Sequence, residues 1–138
     1  MEINCSVTVM PVCEPTGEIG FVRRGNQDTL GGLLVAPGGK VEPLDGQDID
    51  GVMYWSVELA AKRELLEEAG IDCYPEDLTY FCSLTLPSGR VVVSLYLMLQ
   101  EKQGTLEWPS REQIEGRGDF APGMKEEALL LLDREYGR

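Results

Sequence analysis

Nine residues, Arg63-Glu64-Leu65-Leu66-Glu67-Glu68-Ala69-Gly70-Ile71, bring three carboxylates and a guanidinium into the last turns of a helix that stops at a glycine. Side chains three and four positions apart share a helix face, so Glu64, Glu67 and Glu68 point one way and Arg63 reaches Glu67. Alone, the arrangement is unfavourable. The like-charged pair Glu64/Glu68 costs roughly 0.2–0.5 kcal/mol, and acids sit badly at the electronegative end of a helix dipole. A bound cation reverses that penalty. An ordinary solvated helix also mixes acids, bases and apolar residues. The reading as a site therefore draws on a second signal, the turn Ala36-Pro37-Gly38-Gly39-Lys40-Val41-Glu42-Pro43, where paired glycines let backbone approach a ligand closely.

No histidine occurs among the 138 residues, which removes Ser-His-Asp and Cys-His catalysis, His-ligated zinc and histidine general bases. Carboxylates are left to do the chemistry, and they suit hard, oxygen-seeking ions, Mg²⁺ first where phosphates are handled. A formal charge of −12 argues against nucleic acid or an anionic membrane as partner. Cys5, Cys13, Cys73 and Cys82 form no C-x-x-C pair and read as core residues of a cytoplasmic protein. Met1-Glu2-Ile3-Asn4 lacks the basic start and apolar run of a secretory signal, and no stretch approaches the ~20 apolar residues of a membrane span. Length and a 43% hydrophobic content predict one domain over residues 1–138.

The helix and its glycine turn together resemble the box of the Nudix (MutT-like) hydrolases: a glycine, five residues, Glu, seven residues, then Arg-Glu-apolar-any-Glu-Glu-any-Gly-apolar. Arg63 to Ile71 matches at every fixed position. The first half departs from the pattern, because twenty-four positions separate Gly39 from Arg63 where the box has fourteen, so ten extra residues lie inside it. The first Glu of the box is missing; counted forward from Gly39 its place falls on Asp45, and counted back from Arg63 on Trp55. Asp45, Asp48 and Asp50 are the candidates to replace it.

The resemblance implies Mg²⁺-dependent hydrolysis of the pyrophosphate bond of a nucleoside diphosphate linked to another group, with Mn²⁺ as a substitute ion. The first candidate substrate is a normal or modified nucleoside triphosphate; ADP-ribose, another nucleotide sugar, or non-catalytic nucleotide binding are the alternatives. Gly39, through its carbonyl, and Glu64, Glu67 and Glu68 are the implied metal ligands, joined by Glu112 or Glu115 from a late loop. Glu67, Glu68 or the late-loop glutamate is the implied general base, with Arg63 orienting a carboxylate. Arg23, Arg24 and Lys40 are the candidates to meet substrate phosphates, in a monomer or homodimer.

The surrounding sequence predicts the elements that position these groups. Asn4 to Val12 alternates as a strand, with Cys5, Val7 and Val9 on one side and Ser6, Thr8 and Met10 on the other. Ile19 to Arg24 reads as a second strand and Gly25 to Asp28 as a loop. Residues 44–55 read as a surface loop whose aromatics pack back on the domain, or as a lid in which Tyr54 or Trp55 stacks on a base. A calcium-binding loop is excluded there, because Gly46 would fall at its first ligand. Ser56 caps a helix from Val57 to Ala69 that ends at Gly70, with Leu59, Leu65, Leu66 and Ala69 packing inward and Ala60 and Ala61 on the glutamate side. Leu78–Leu86 and Val91–Gln100 form a hairpin around Pro87-Ser88-Gly89-Arg90. Thr105–Trp108 reads as an edge strand, Pro109–Gly123 as a polar loop, and Met124–Arg134 as a helix with Leu129, Leu130 and Leu132 inward and Glu126, Glu127 and Asp133 outward. The fold class expected is α+β, a Nudix-type α/β/α sandwich around a mixed sheet.

Overall fold

Alternation along two central strands builds the layers. The computed structural model describes residues 3–26 and 31–137, so Gln27 and Asp28 of the expected loop lie outside the described residues. Strand β1 (Cys5–Cys13) sends Cys5, Val7 and Val9 into one core and Met10 and Val12 into another. Strand β9 (Val91–Leu99) repeats the division, with Leu95 and Leu97 on the first side and Tyr96 and Met98 on the second. The two run parallel, Cys5 opposite Val91 through Cys13 opposite Leu99. Strand β8 (Leu78–Thr85) lies antiparallel along the far edge of β9. On the other edge of β1 sit two short antiparallel strands, β2 (Glu18–Ile19) and β5 (Gly38–Lys40). The sheet is therefore mixed, as expected, and β3 (Val22–Arg23) with β4 (Leu34–Val35) forms a separate short pair.

Helix α1 (Val57–Ala69) covers the first core and α3 (Met124–Tyr136) the second, giving the α/β/α layering. The ends of α1 follow from its sequence: the Ser56 hydroxyl accepts the Leu59 N–H, and Gly70 takes the left-handed conformation with φ 72° that favours glycine. Its packed face differs from expectation. Ala60, Ala61, Leu65 and Ala69 are buried, whereas Leu59 and Leu66 are 40% and 49% exposed. Small side chains at 60 and 61 let the helix lie close to the sheet, and this turns the larger leucines outward.

Other elements also shift. In α3 the inward positions are Met124, Ala128, Leu131 and Leu132, at the i, i+4, i+7, i+8 spacing of one helical face, and Leu130 points to solvent. The expected second strand breaks at Gly20, where a Cβ would stand 2.6 Å from Leu106 Cδ1, and the expected edge strand at Thr105–Trp108 reduces to a bridge between Phe21 and Glu107. The expected loop after Pro109 contains a short helix, α2 (Arg111–Gly116), started by a reciprocal cap between Ser110 and Gln113. The hairpin of β8 and β9 closes at the expected turn.

Leu131→Ala is expected to lower unfolding free energy by about 2–5 kcal/mol, and Leu130→Ala to change it by no more than about 0.5 kcal/mol, as read from urea denaturation midpoints.

Candidate active site

The extra residues leave the chain and return to it at one point. A tight turn at Pro43–Asp45 points the Asp45 carboxylate inward, where its Oδ2 accepts the Glu42 N–H at 2.8 Å. The chain then forms a hairpin of β6 (Gly46–Ile49) and β7 (Val52–Trp55), turning through Asp50 and Gly51 with φ of 53° and 81°. Positive φ at both central residues is what a two-residue hairpin turn requires. Past it, the Ser56 N–H donates to the Asp45 carbonyl at 3.1 Å, and α1 begins. The expectation of aromatics packed back on the domain is overturned: Tyr54 and Trp55 are 55% and 40% exposed and, with Leu44 and Leu59, line an open cavity of about 420 Å³.

Asp45 is 3% exposed and grips Arg63 with both oxygens, Nε to Oδ1 and Nη2 to Oδ2, each at 2.8 Å. Burial pushes this carboxyl up, but the Arg63 guanidinium and the Glu42 N–H outweigh burial and hold it below the usual carboxylate range. The same guanidinium reaches Glu64 at 2.8 Å, the Lys40 carbonyl at 3.1 Å and, more weakly, Glu67 at 3.5 Å. Of the three aspartates in the inserted stretch, only Asp45 comes to Arg63. Asp48 accepts the Gly51 N–H at 2.9 Å and Asp50 sits in the turn, so both serve the hairpin.

Strand β5 sets the glutamates against backbone. A Cβ at Gly38 would fall 2.3 Å from the Val7 carbonyl, and one at Gly39 would fall 2.5 Å from Glu64 Oε1, so two glycines are needed for β5 to pair with β1 and for Glu64 to approach. Glu68 Oε1 accepts the Gly38 N–H at 2.7 Å and its Oε2 accepts Arg24 Nη1 at 3.0 Å, whereas the Glu67 side chain is 58% exposed. Burial, foremost, and then the neighbouring Glu68 and Glu67 raise the Glu64 carboxyl against the opposing pull of Arg63.

The carboxylates share one side of α1, Glu64 and Glu67 reached by Arg63 and Glu68 by Arg24 and Gly38, and among the described residues no three acidic, cysteine or histidine side chains stand close enough to hold an ion. Each carboxylate turns to a nearby guanidinium or backbone amide. The donor set of clustered carboxylates with a glycine backbone pressed against Glu64 nevertheless has the chemistry a hard divalent ion takes.

The remaining predicted residues are dispersed. Arg24 lines a cleft of about 350 Å³ with Ser6, Thr8, Gly38, Gly39 and Glu127. Arg23 is held by Glu107 at 2.7 Å and Asp119 at 3.0 Å. In that network the Arg117 hydrogen bond, with Arg23 adding to it, keeps the Asp119 carboxyl far below its usual range. Lys40 is exposed at the end of β5. Glu112 and Glu115 ride on α2, which packs on α3, and neither is among the charged groups acting on Glu64. Glu127 was expected to face outward; it lines the cleft and accepts a weak 3.7 Å contact from Cys82 Sγ. Helical periodicity could not find it, because it lies at the margin of the buried face.

A family model described as the NUDIX domain matches residues 4–122. No curated protein matches the chain. Among solved structures, a NUDIX-family hydrolase from Clostridium perfringens is similar with a TM-score of 0.69 at 15% identity, over 97% of this chain and 99% of that one. The MutT protein from Methanosarcina mazei Go1 gives 0.63 at 23% identity, over 97% and 95%. A bifunctional NMN adenylyltransferase/ADP ribose pyrophosphatase from Francisella tularensis, complexed with AMP and a Mn ion, gives 0.66 at 19% identity, over 98% of this chain and 42% of that one. At these identities the likeness is one of fold.

Asp45→Asn leaves the Arg63 charge sheltered without its anion and is expected to cost about 3–5 kcal/mol at neutral pH. Because the folded carboxyl titrates below the unfolded one, its stabilisation is complete above about pH 4 and fades as the pH falls toward the folded value. The variant should therefore show a flatter loss of stability on acidification, measured by denaturant titration at a series of pH values.

Proposed function

The chain belongs to the Nudix family of hydrolases, and on that premise we propose that it is a Mg²⁺-dependent pyrophosphohydrolase whose substrate is a nucleoside diphosphate linked to another group, a nucleoside triphosphate first among these. The observation that carries the reading is the approach of Glu64 and Glu68 to the Gly38-Gly39 backbone at the mouth of the cleft. Glu64, Glu67, Glu68 and the Gly39 carbonyl would hold the ions. When bound, Mg²⁺ or Mn²⁺ would neutralise the diphosphate oxygens and lower the pKa of the attacking water.

The chain's own residues supply the rest. Asp45 fixes Arg63, and Arg63 fixes Glu64. Glu67, the most exposed of the three carboxylates, is the one open to accept a proton from water. Arg24 lines the cleft where phosphates would lie, and apolar walls from Val35, Ala36, Leu84 and Met124 suit a nucleoside. With a charge of −12 the reading carries small nucleotide partners rather than nucleic acid, and a cytoplasmic setting for a monomer or homodimer. Among the described residues no helix is long and apolar enough to cross a membrane.

The test is a panel of nucleoside triphosphates, ADP-ribose and nucleotide sugars incubated with Mg²⁺, with products separated. Release of nucleoside monophosphate and pyrophosphate from a triphosphate supports the first reading; AMP and ribose 5-phosphate from ADP-ribose support the alternative. Glu67→Gln is expected to lower turnover by about 10²-fold or more while leaving the unfolding transition unchanged. Nucleotide binding without any product, at saturating Mg²⁺, would make the domain a binding module instead.

A further inference from the structure

The cleft beside the glutamates has a floor of defined order. Across the sheet, Gly38 of β5, Thr8 of β1, Ser94 of β9 and Cys82 of β8 stand side by side in register. Gly38 marks the end nearest the glutamates, since its N–H donates to Glu68. From there polar side chains continue: the hydroxyls of Thr8 and the buried Ser94 share a 2.8 Å hydrogen bond, and the Cys82 thiol meets Glu127 Oε1 from α3 at 3.7 Å. Three strand spacings, roughly 14 Å, separate the two ends. Val35, Ala36, Leu84 and Met124 wall the span, and Glu127 stands over its β8 end. The thiol is a weak donor, and among the described residues the Glu127 side chain makes no other hydrogen bond or ion pair.

We propose that Glu127 selects the base of the substrate, accepting the adjacent N1–H and N2–H donors of a guanine laid in the cleft with its phosphates at Gly38 and Gly39. The proposal rests on the reading of that cleft as the nucleotide site, and it names the base. The Watson–Crick edge of a purine is the edge farthest from its ribose, so it is the one that reaches β8. A carboxylate can only accept, through two oxygens side by side. Guanine alone among the common bases offers two adjacent donors on that edge. Adenine and cytosine set a ring-nitrogen lone pair beside their amino group, and uracil and thymine flank one N–H with two carbonyls, so each brings an acceptor against the carboxylate. Such a mismatch costs more than a missing contact, because both lone pairs lose water and gain no donor.

Binding of the α,β-methylene analogues of GTP, ITP and ATP to the parent, E127Q and E126Q is measured by calorimetry at saturating Mg²⁺, and turnover of the three triphosphates is measured separately. The parent should bind the guanine analogue about tenfold or more tighter than the adenine one. Hypoxanthine, which keeps N1–H and lacks the amino group, should fall between them. A Gln amide offers one acceptor and one donor and pairs with adenine, so E127Q should lose guanine affinity, gain adenine affinity and bring the ratio to about one or below. Glu126 is the exposed neighbour on α3 with the same charge, and E126Q should keep the parent's ratio within about twofold. Equal affinity for guanine and adenine in the parent, or a ratio that E127Q leaves unchanged, overturns the proposal and makes Glu127 a solvated helix residue. A parent that binds none of the three removes the nucleotide reading and the base assignment together, whereas guanine-selective binding without turnover removes the hydrolytic reading alone.

Discussion

The bidentate pair between Arg63 and Asp45 is the contact on which the site depends. It ties α1 to the turn that follows β5, and through that turn to the edge of the central sheet. Arg63 in turn holds Glu64. Such a sheltered pair adds little net stability compared with apolar residues of the same shape, yet losing one partner is costly because the other charge stays behind. Its contribution is therefore to geometry: it sets where the last turns of α1 lie relative to Gly38 and Gly39.

Around that pair the site carries unresolved electrostatics. Three acids occupy the C-terminal half of one helix, where both the helix dipole and each other oppose them. Two arginines and one backbone amide offset this, each claiming a different carboxylate oxygen. The Glu64 carboxyl is raised, foremost by burial and then by Glu68 and Glu67, against the pull of Arg63. A fold optimised for stability alone would not keep this arrangement, and a cation would relieve it.

Much of this was legible in the residues, for identifiable reasons. Ser56 and Gly70 bounded α1 because cap chemistry is local, and alternation along Cys5–Val12 separated the two cores because strand geometry has period two. What failed depended on neighbours distant in sequence. Leu66 was assigned to the core and Ala61 to the site, but closeness to the sheet decided the reverse. Leu130 and Leu131 differ only in which side α3 presents, which a run of four leucines does not reveal. The inserted hairpin did carry a signal: Asp50-Gly51 is a strong two-residue turn, obscured by flanking acids that invited a metal reading. Recognition of Asp45 as the partner of Arg63 required the hairpin, since only then do positions eighteen apart in sequence meet.

We propose that Asp45, which grips Arg63, stands in place of the first glutamate of the box, with the hairpin of β6 and β7 inserted behind it. Excision of residues 46–55, joining Asp45 directly to Ser56, tests this most directly, because the Ser56 N–H already lies 3.1 Å from the Asp45 carbonyl oxygen. The measurement is thermal unfolding of the excised protein with and without Mg²⁺. A cooperative transition that Mg²⁺ raises as much as in the parent is expected; a protein that fails to fold, or folds without responding to Mg²⁺, would overturn the assignment of Asp45.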